Sequence, residues 1–469
     1  MLKKNFIHKK DISEKSNIIM DHVNQVFKNK AIIDYCRRLS KKISIPEKEI
    51  IFYFKKKYFK SYDFQKNKFD KKIYLFSVIK YFFFQIFFIT TVFILKKKNK
   101  KTTKEYDLLI DDVSDVGEIE RYGNLRNYIK SNIIRVNRKL KLKKRTTKVI
   151  FRKNYHNYNL SIQDFLFFIR MIYDNIVCSF NAKINVHYFF LSLINDYYFY
   201  DSFFKDYKFK YAISSRHYTT NNIKNFILKK NKTKSCVIQK NIDTENTNGF
   251  FYDIENLFIL GNKIKIKDKR FCNVKNQIPV GSFFMEDFLY RKKNKINHHV
   301  KNFDILCLGC NEQYPGSVHD TYNNHNLNYI EHLNWLKKIS LEFPKLKVGF
   351  IHHDNNKNNF EKFFLKNTNV VYIDEKTNSY ALCYKAKFIC SFASTMIIEL
   401  FSINKKGYYL DPNYQNVQYM KNINKNIRIN TYKKFKNFYF NSNKNKIIFN
   451  DYCLNSYYTS YKIFNYLVK

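Results

Sequence analysis

Glycine is scarce in this chain, 9 of 469 residues, and proline is scarcer at 5. Turns must be built from other residues, and Asn is the natural substitute because it tolerates left-handed backbone better than most. Cysteine, 9 residues, is odd in number and irregular in spacing. That excludes a disulfide framework and suits a reducing cytoplasm. The lone CxxC, Cys307 and Cys310, has no second half-site, so no metal is implied and both thiols read as buried residues at a strand end.

Acidic residues are also few, 39 against 85 Lys and Arg, for a formal charge of +46. Arg, the bidentate reader of guanine, is far rarer than Lys, and the basic residues spread along the whole length instead of forming one arm. No nucleic-acid partner is implied. The over-used residues Lys, Asn, Phe, Tyr and Ile share codons rich in A and T, which explains the composition without a partner.

What the chain does have is core material. Hydrophobic residues make up 45%, which argues for a folded protein, and the length suits two domains with an extra segment. The N-terminal extension, 1–103, contains the apolar run IYLFSVIKYFFFQIFFITTVFIL at 73–95. It starts too late for a signal peptide, and Lys on both flanks gives no asymmetry to orient a crossing. On a helix, Ser77, Lys80, Tyr81, Gln85 and Thr91 share one narrow stripe, as expected of a segment lying in a membrane interface. The flanking lysines would favour an anionic membrane surface; a helix buried against the protein, or a single span, are the competing readings.

After Lys104 short apolar runs alternate with helical patterns. YDLLIDD (106–112), SNIIRVN (131–137), KYAISSR (210–216), KSCVIQK (234–240) and NLFILGN (256–262) read as strands, with helices over 163–180, 186–204 and 218–230. This is a first α/β domain, 104–290. A polar linker follows at 291–302, and a second alternation fills 303–469, with strands within 302–309, 345–353, 369–374, 386–393 and 407–411 and a helix over 328–343. Such alternation predicts two parallel sheets flanked by helices, facing a cleft, with ligands beyond the carboxyl ends of the strands.

Strand ends are therefore where chemistry is sought. In CSFASTMIIELFSINKKGYYLDP (390–412) a strand ends in small residues and a helix starts near Thr395. Ser391, Ser394 and Thr395, with backbone N–H groups, suit a phosphate there. Glu399, four residues on, shares their face and suits the hydroxyls of a sugar or ribose. N-capping alone would explain one hydroxyl but not the acid. His352 and His353 end another strand, where imidazole can donate to a phosphate oxygen or protonate a leaving group. Asp111 and Asp112 close the first strand and are candidate general bases, although Asp115, Glu118 and Glu120 nearby mark a generally acidic loop. Arg216, His217, Gln239 and Lys240 also end strands and are candidate acceptor or donor contacts.

These residues give the chain a resemblance to bacterial surface-carbohydrate glycosyltransferases of capsule and lipopolysaccharide synthesis, of the GT-B type, over about residues 104–469. SFASTMIIELFSINKKGYYLDP is similar to their nucleotide-binding half, and GFFYDIENLFILGN and VGSFFMEDF resemble the same group. Sialyl- and polysialyltransferases that use CMP-sugars carry an acidic pair, a His-Pro and a Ser/Thr motif; here Asp111-Asp112, His353 and Ser394-Thr395 stand in that order. The resemblance implies an acidic base, His353 assisting departure of the phosphate, and Ser394 and Thr395 holding it. Val113 stands where a Gly usually follows the acids, and Asp354 where Pro follows the His.

The expected function is transfer of a sugar from a nucleotide-activated donor to a glycan or glycolipid acceptor, by a cytoplasmic enzyme attached peripherally or monotopically to the inner membrane, without a cofactor. A polyol-phosphate transferase, a UDP-sugar epimerase and a non-catalytic membrane-bound scaffold are the alternatives.

Overall fold

Leu108, Leu109 and Ile110 are consecutive and all buried, which in a strand, where side chains alternate, requires apolar cover on both faces. The structure, a computed structural model, supplies it. It describes residues 20–60, single helical positions between 75 and 90, and 103–136, 149–151, 161–215, 220–240, 251, 253–266, 272–292, 302–309, 322–353, 360–373, 379–412, 423–441 and 451–469.

The first sheet contains β1 (Lys104–Val113), β2 (Asn132–Val136), β3 (Val149–Phe151), β4 (Tyr207–Ser214), β5 (Lys234–Ile238), β6 (Asp253–Ile259) and β7 (Asn273–Pro279). The order is β3-β2-β1-β4-β5-β6-β7 and every pairing is parallel. The second contains β8 (Ile305–Leu308), β9 (Val348–Ile351), β10 (Val370–Ile373), β11 (Phe388–Ser391), β12 (Gly407–Leu410) and β13 (Arg428–Ile429), ordered β10-β9-β8-β11-β12-β13 and again all parallel. Each order is that of a doubly wound Rossmann sheet, so the predicted α/β architecture of two such units holds.

Helices α1 (Lys30–Ile43) and α2 (Glu47–Lys60) come from the N-terminal extension. They share one apolar cluster with α5 (Ile162–Ala182), α6 (Val186–Asp206) and α7 (Asn222–Lys230), seated on Leu109, Ile133 and Ala212 of the first sheet. Residues 30–60 are thus part of the first unit's core. Leu108, Ile110 and Ile134 face the other way, against α3 (Val116–Arg121) and α4 (Gly123–Tyr128) and against Ile463 and Leu467 of the last helix, α14 (Thr459–Val468). The second unit carries α9 (Tyr322–Glu342), α10 (Phe360–Phe364), α11 (Ser379–Lys385), α12 (Met396–Phe401) and α13 (Tyr432–Phe440). The domain boundaries are corrected accordingly: α14 lies in sequence at the end of the second unit but packs in the first. Most of the linker, 293–301, lies outside the described residues.

The return crossing depends on glycine. Gly281 has φ +101, and a Cβ there would come within 2.8 Å of the Leu454 carbonyl, so only glycine lets the chain pass. Elsewhere Asn is less dominant in turns than expected. Asn367 and Asn404 adopt positive φ, but so do Ser44 and Lys183, which end α1 and α5.

Between the units runs α8 (Phe283–Asp287). Its Glu286 is buried and accepts from the Ser460 N–H at 2.9 Å and from the Ser460 hydroxyl, fastening α14. Burial lifts this carboxyl from 4.5 to about 7, against the pull of the Ser460 hydrogen bonds. Between those values the folded state keeps a proton that the unfolded chain has released, so stability falls as pH rises through the window, by about 3 kcal/mol in total. Urea titrations across this range should show that slope in the native protein and a flatter one in Glu286→Gln; equal slopes would refute the assignment.

Candidate functional site

In a doubly wound sheet the crevice opens where strand order reverses. These points lie between β1 and β4 in the first sheet and between β8 and β11 in the second. The second point is where the Ser391–Thr395 turn leaves β11. His352 and His353 leave β9, on the other side of β8, so two strand spacings, roughly 10 Å, separate the histidines from the turn. Gly309, which ends β8 between them, has its N–H on the Ile351 carbonyl at 2.8 Å, and a Cβ there would lie 3.2 Å from the His353 nitrogen.

The turn is closed by its own hydroxyls. Ser391 is fully buried; its Oγ donates to the Leu308 carbonyl (2.8 Å) and accepts from the Ser394 N–H (3.0 Å). It ties the two switch-point strands together and is not a ligand contact. The Ser394 Oγ accepts from the Met396 N–H at 3.3 Å. Helix α12 is six residues long, too short to add much of a dipole. Ser394 and Thr395 remain half-buried at the strand end, as does His353.

Two other expected ligands are turned inward. His352 places Nδ1 against the Tyr372 hydroxyl and 3.5 Å from Glu361, a fully buried carboxylate that also accepts from Tyr329 OH at 2.9 Å. Glu399 is 4% exposed, its Oε1 accepting from the Ser282 hydroxyl (2.8 Å) and its Oε2 from the Tyr380 hydroxyl (2.6 Å). Burial raises its pKa, opposed by those two bonds and by the charge of Arg121. Ser282 belongs to the first unit's end and Tyr380 to the second unit, so Glu399 joins the units instead of reaching toward a donor's hydroxyls.

The acidic pair is likewise structural. The pairing of β1 with β2 shifts register between Ile110 and Val113, and Asp112 has φ 57. This bulge lets consecutive side chains, which would normally alternate, converge. Asp111 pairs with Arg135 Nε and with Lys224 Nζ (2.8 Å), while Asp112 meets Arg135 Nη2 at 3.1 Å and Lys224 Nζ at 3.0 Å. Burial disfavours both cations, but the two carboxylates outweigh it and hold Arg135 and Lys224 well above their ordinary pKa. A proton taken by either acid would displace an ion pair, so the pair is corrected from general base to buried anchor.

Glu118 is the carboxylate at the first switch point, buried on α3 and closed by the Ser215 hydroxyl and by Ser114 N–H (2.9 Å) and Oγ (3.1 Å). Gln239 is buried at the end of β5; its Oε1 accepts from Leu260 N–H at 3.3 Å and its Nε2 has no hydrogen-bond partner among the described residues. Lys240 is half-buried beside it, while Arg216 and His217 lie outside the described residues. Among the described residues no three His, Cys, Asp or Glu side chains form a metal-holding group.

No protein-family model and no curated protein matches the chain. Among solved structures it is similar to a S. aureus MnaA complex with UDP (TM-score 0.47, 10% identity, 77% of this chain and 96% of that one). It is also similar to a UDP-GlcNAc 2-epimerase from Neisseria meningitidis bound to UDP-GlcNAc (TM-score 0.45, 10% identity, 77% and 99%), and to the wall teichoic acid polymerase TagF (TM-score 0.43, 10% identity, 87% and 98%).

Substitutions at two positions test the anchoring roles. Asp111→Asn leaves Arg135 and Lys224 short of a counter-charge, and loss of one partner of a buried pair should lower unfolding free energy by about 3–5 kcal/mol. A variant as stable as the native protein would contradict the anchor. Glu399→Ala strands two buried hydroxyls and should cost about 1–3 kcal/mol, whereas Glu399→Gln keeps an acceptor and should cost less; chemical denaturation ranks the three proteins.

Proposed function

We propose that this protein is a glycosyltransferase that moves a sugar from a nucleotide-activated donor to a glycan or glycolipid acceptor. The observation that supports it is the Ser391–Thr395 turn at the point where the second sheet's order reverses, with His353 at the neighbouring edge. Ligands of doubly wound sheets bind at such a point. In this reading Ser394 and Thr395 hold the donor's phosphate; the sugar–oxygen bond to that phosphate breaks as the acceptor hydroxyl oxygen bonds to the sugar, and the hydroxyl's proton ends on the departing phosphate, relayed by His353. The first unit presents the acceptor, and closure of the two units excludes water.

Asp111 and Asp112 have no part in this reaction, being committed to Arg135 and Lys224. That commitment also favours a second reading, a nucleotide-binding protein that does not turn over.

The test is thermal unfolding of the purified full chain with CMP, UDP, CDP and GDP. One nucleotide at a hundredfold excess over its dissociation constant should stabilise the protein by about 2.7 kcal/mol. The shift should shrink in Ser394→Ala and Thr395→Val, each compared with its own unliganded midpoint. No shift with any nucleotide would sink both readings. Binding that survives in His353→Ala, with transfer reduced by about a hundredfold, identifies the transferase; binding with no transfer by the native protein identifies the second reading.

A further inference from the structure

Helix α5 is apolar on two sides. Its inner side, Phe168, Met171 and Cys178, is buried in the first unit's core. Its outer side is a stripe of exposed residues at spacings of three and four: Ile162 (68%), Leu166 (51%), Ile169 (47%), Tyr173 (72%), Val177 (38%) and Phe180 (47%). Six large side chains in one row exceed the scattered exposure normal for a surface and mark an interaction face. The helix is long and apolar enough to cross a membrane. Its inner contacts, including Cys178 Sγ on the Ala31 carbonyl and the Arg38–Asp174 pair at 3.2 Å, hold it on the protein.

A second helical stretch lies against it. Between residues 75 and 90, Leu75, Ile79, Phe83 and Phe87 are exposed at spacings of four. Gln85 in the same stretch is fully buried, its Oε1 accepting from Asn175 of α5 at 2.9 Å and meeting His187 Nδ1 of α6 at 3.0 Å. Tyr35 donates to Asn175 from α1. Burial lowers His187 to about 4, so the imidazole is neutral at ordinary pH and its proton is available for the amide. Gln85 thus pins this stretch to the protein while Phe83 and Phe87 face outward. Of the expected polar stripe, Gln85 faces the protein and Lys80 is exposed, while Ser77, Tyr81 and Thr91 lie outside the described residues.

Cations border these faces. Arg38, Lys42, Arg170 and Lys183 are exposed on α1 and at α5, Lys42 lying 5.5 Å over the Phe167 ring. The acids among them are occupied, Asp164 by Ser161 and Tyr198 and Asp174 by Arg38. Apolar side chains rimmed by basic ones match the acyl boundary and headgroups of an anionic bilayer. We propose that α5 and the stretch around Gln85 together form a face by which the first unit seats on an anionic membrane surface. The proposal does not rest on the transferase reading.

Full-length protein is mixed with vesicles of phosphatidylcholine, alone or with phosphatidylglycerol, and sedimented. The expected result is binding to the anionic vesicles that weakens with salt. It should fall about tenfold or more in Ile169→Glu/Tyr173→Glu and, separately, in Phe83→Glu/Phe87→Glu, since each pair removes two large apolar contacts. Unchanged unfolding midpoints in both variants would show that the loss is at the surface. Native-like vesicle binding by the α5 variant would overturn the proposal. So would a native protein that ignores vesicles, or one that is a dimer which the α5 substitutions dissociate.

Discussion

Glu399 is a carboxylate with almost no access to water, and burying one without partners would be prohibitive. Its partners come from both units. The Ser282 hydroxyl donates to it while accepting the Met285 N–H of α8, and the Ser282 N–H donates to Ser456 on the returning chain. Tyr380 supplies the second donor from α11. One side chain therefore couples the end of the first unit, the start of the return crossing and the helix after β11. The apolar cluster of the second unit, which takes in Leu260, Met285 and Phe288 from the first, surrounds this joint. Any motion of one unit on the other must keep that carboxylate satisfied.

The first unit has a comparable constraint at the carboxyl ends of two of its inner strands, β1 and β2. Two acids and two cations are buried together, with the Arg135 guanidinium over Phe199, Tyr200 and Phe203 at 5.5–5.7 Å. Such a cluster is near-neutral in net stability compared with an apolar packing, yet intolerant of losing one member. It fixes the carboxyl end of β1 against β2 and α7, and so fixes the switch point where Ser114, Glu118 and Ser215 meet.

The strands were legible because buried parallel strands read as apolar runs, and β1, β2, β4, β5, β6 and β8 to β12 lie in apolar runs, the part-exposed β10 included. Strands β3, β7 and β13 were not. β3 and β13 are only three and two residues long, too short to carry a pattern, and Asn273, Lys275, Asn276 and Gln277 leave β7 without an apolar signal. The site was legible as a place but not as a set of contacts. Spacing put Ser391, Ser394 and Thr395 at a strand end, yet could not tell that Ser391 would bond the Leu308 carbonyl, because that partner is 83 residues away in sequence. The ion cluster did leave a signal. Arg135 interrupts the apolar run of SNIIRVN, and a cation inside a buried strand requires an acid beside it.

Hydropathy is blind in the same way to what covers an apolar helix. Over 73–95 and over α5 it reports a predominantly apolar segment, which fits a core helix, a span and a surface helix equally well. The polar exceptions separate these cases. Gln85 meets both Asn175 and His187 only if three helices pack side by side, and that packing fixes which face of each helix is inward. Once the inward faces are set, Phe83, Phe87 and Tyr173 stand exposed on the outer sides. The few polar residues in the apolar helices therefore carry the information about orientation, just as Arg135 and Glu399 carry it for the carboxyl ends of the first sheet's strands and for the joint between units.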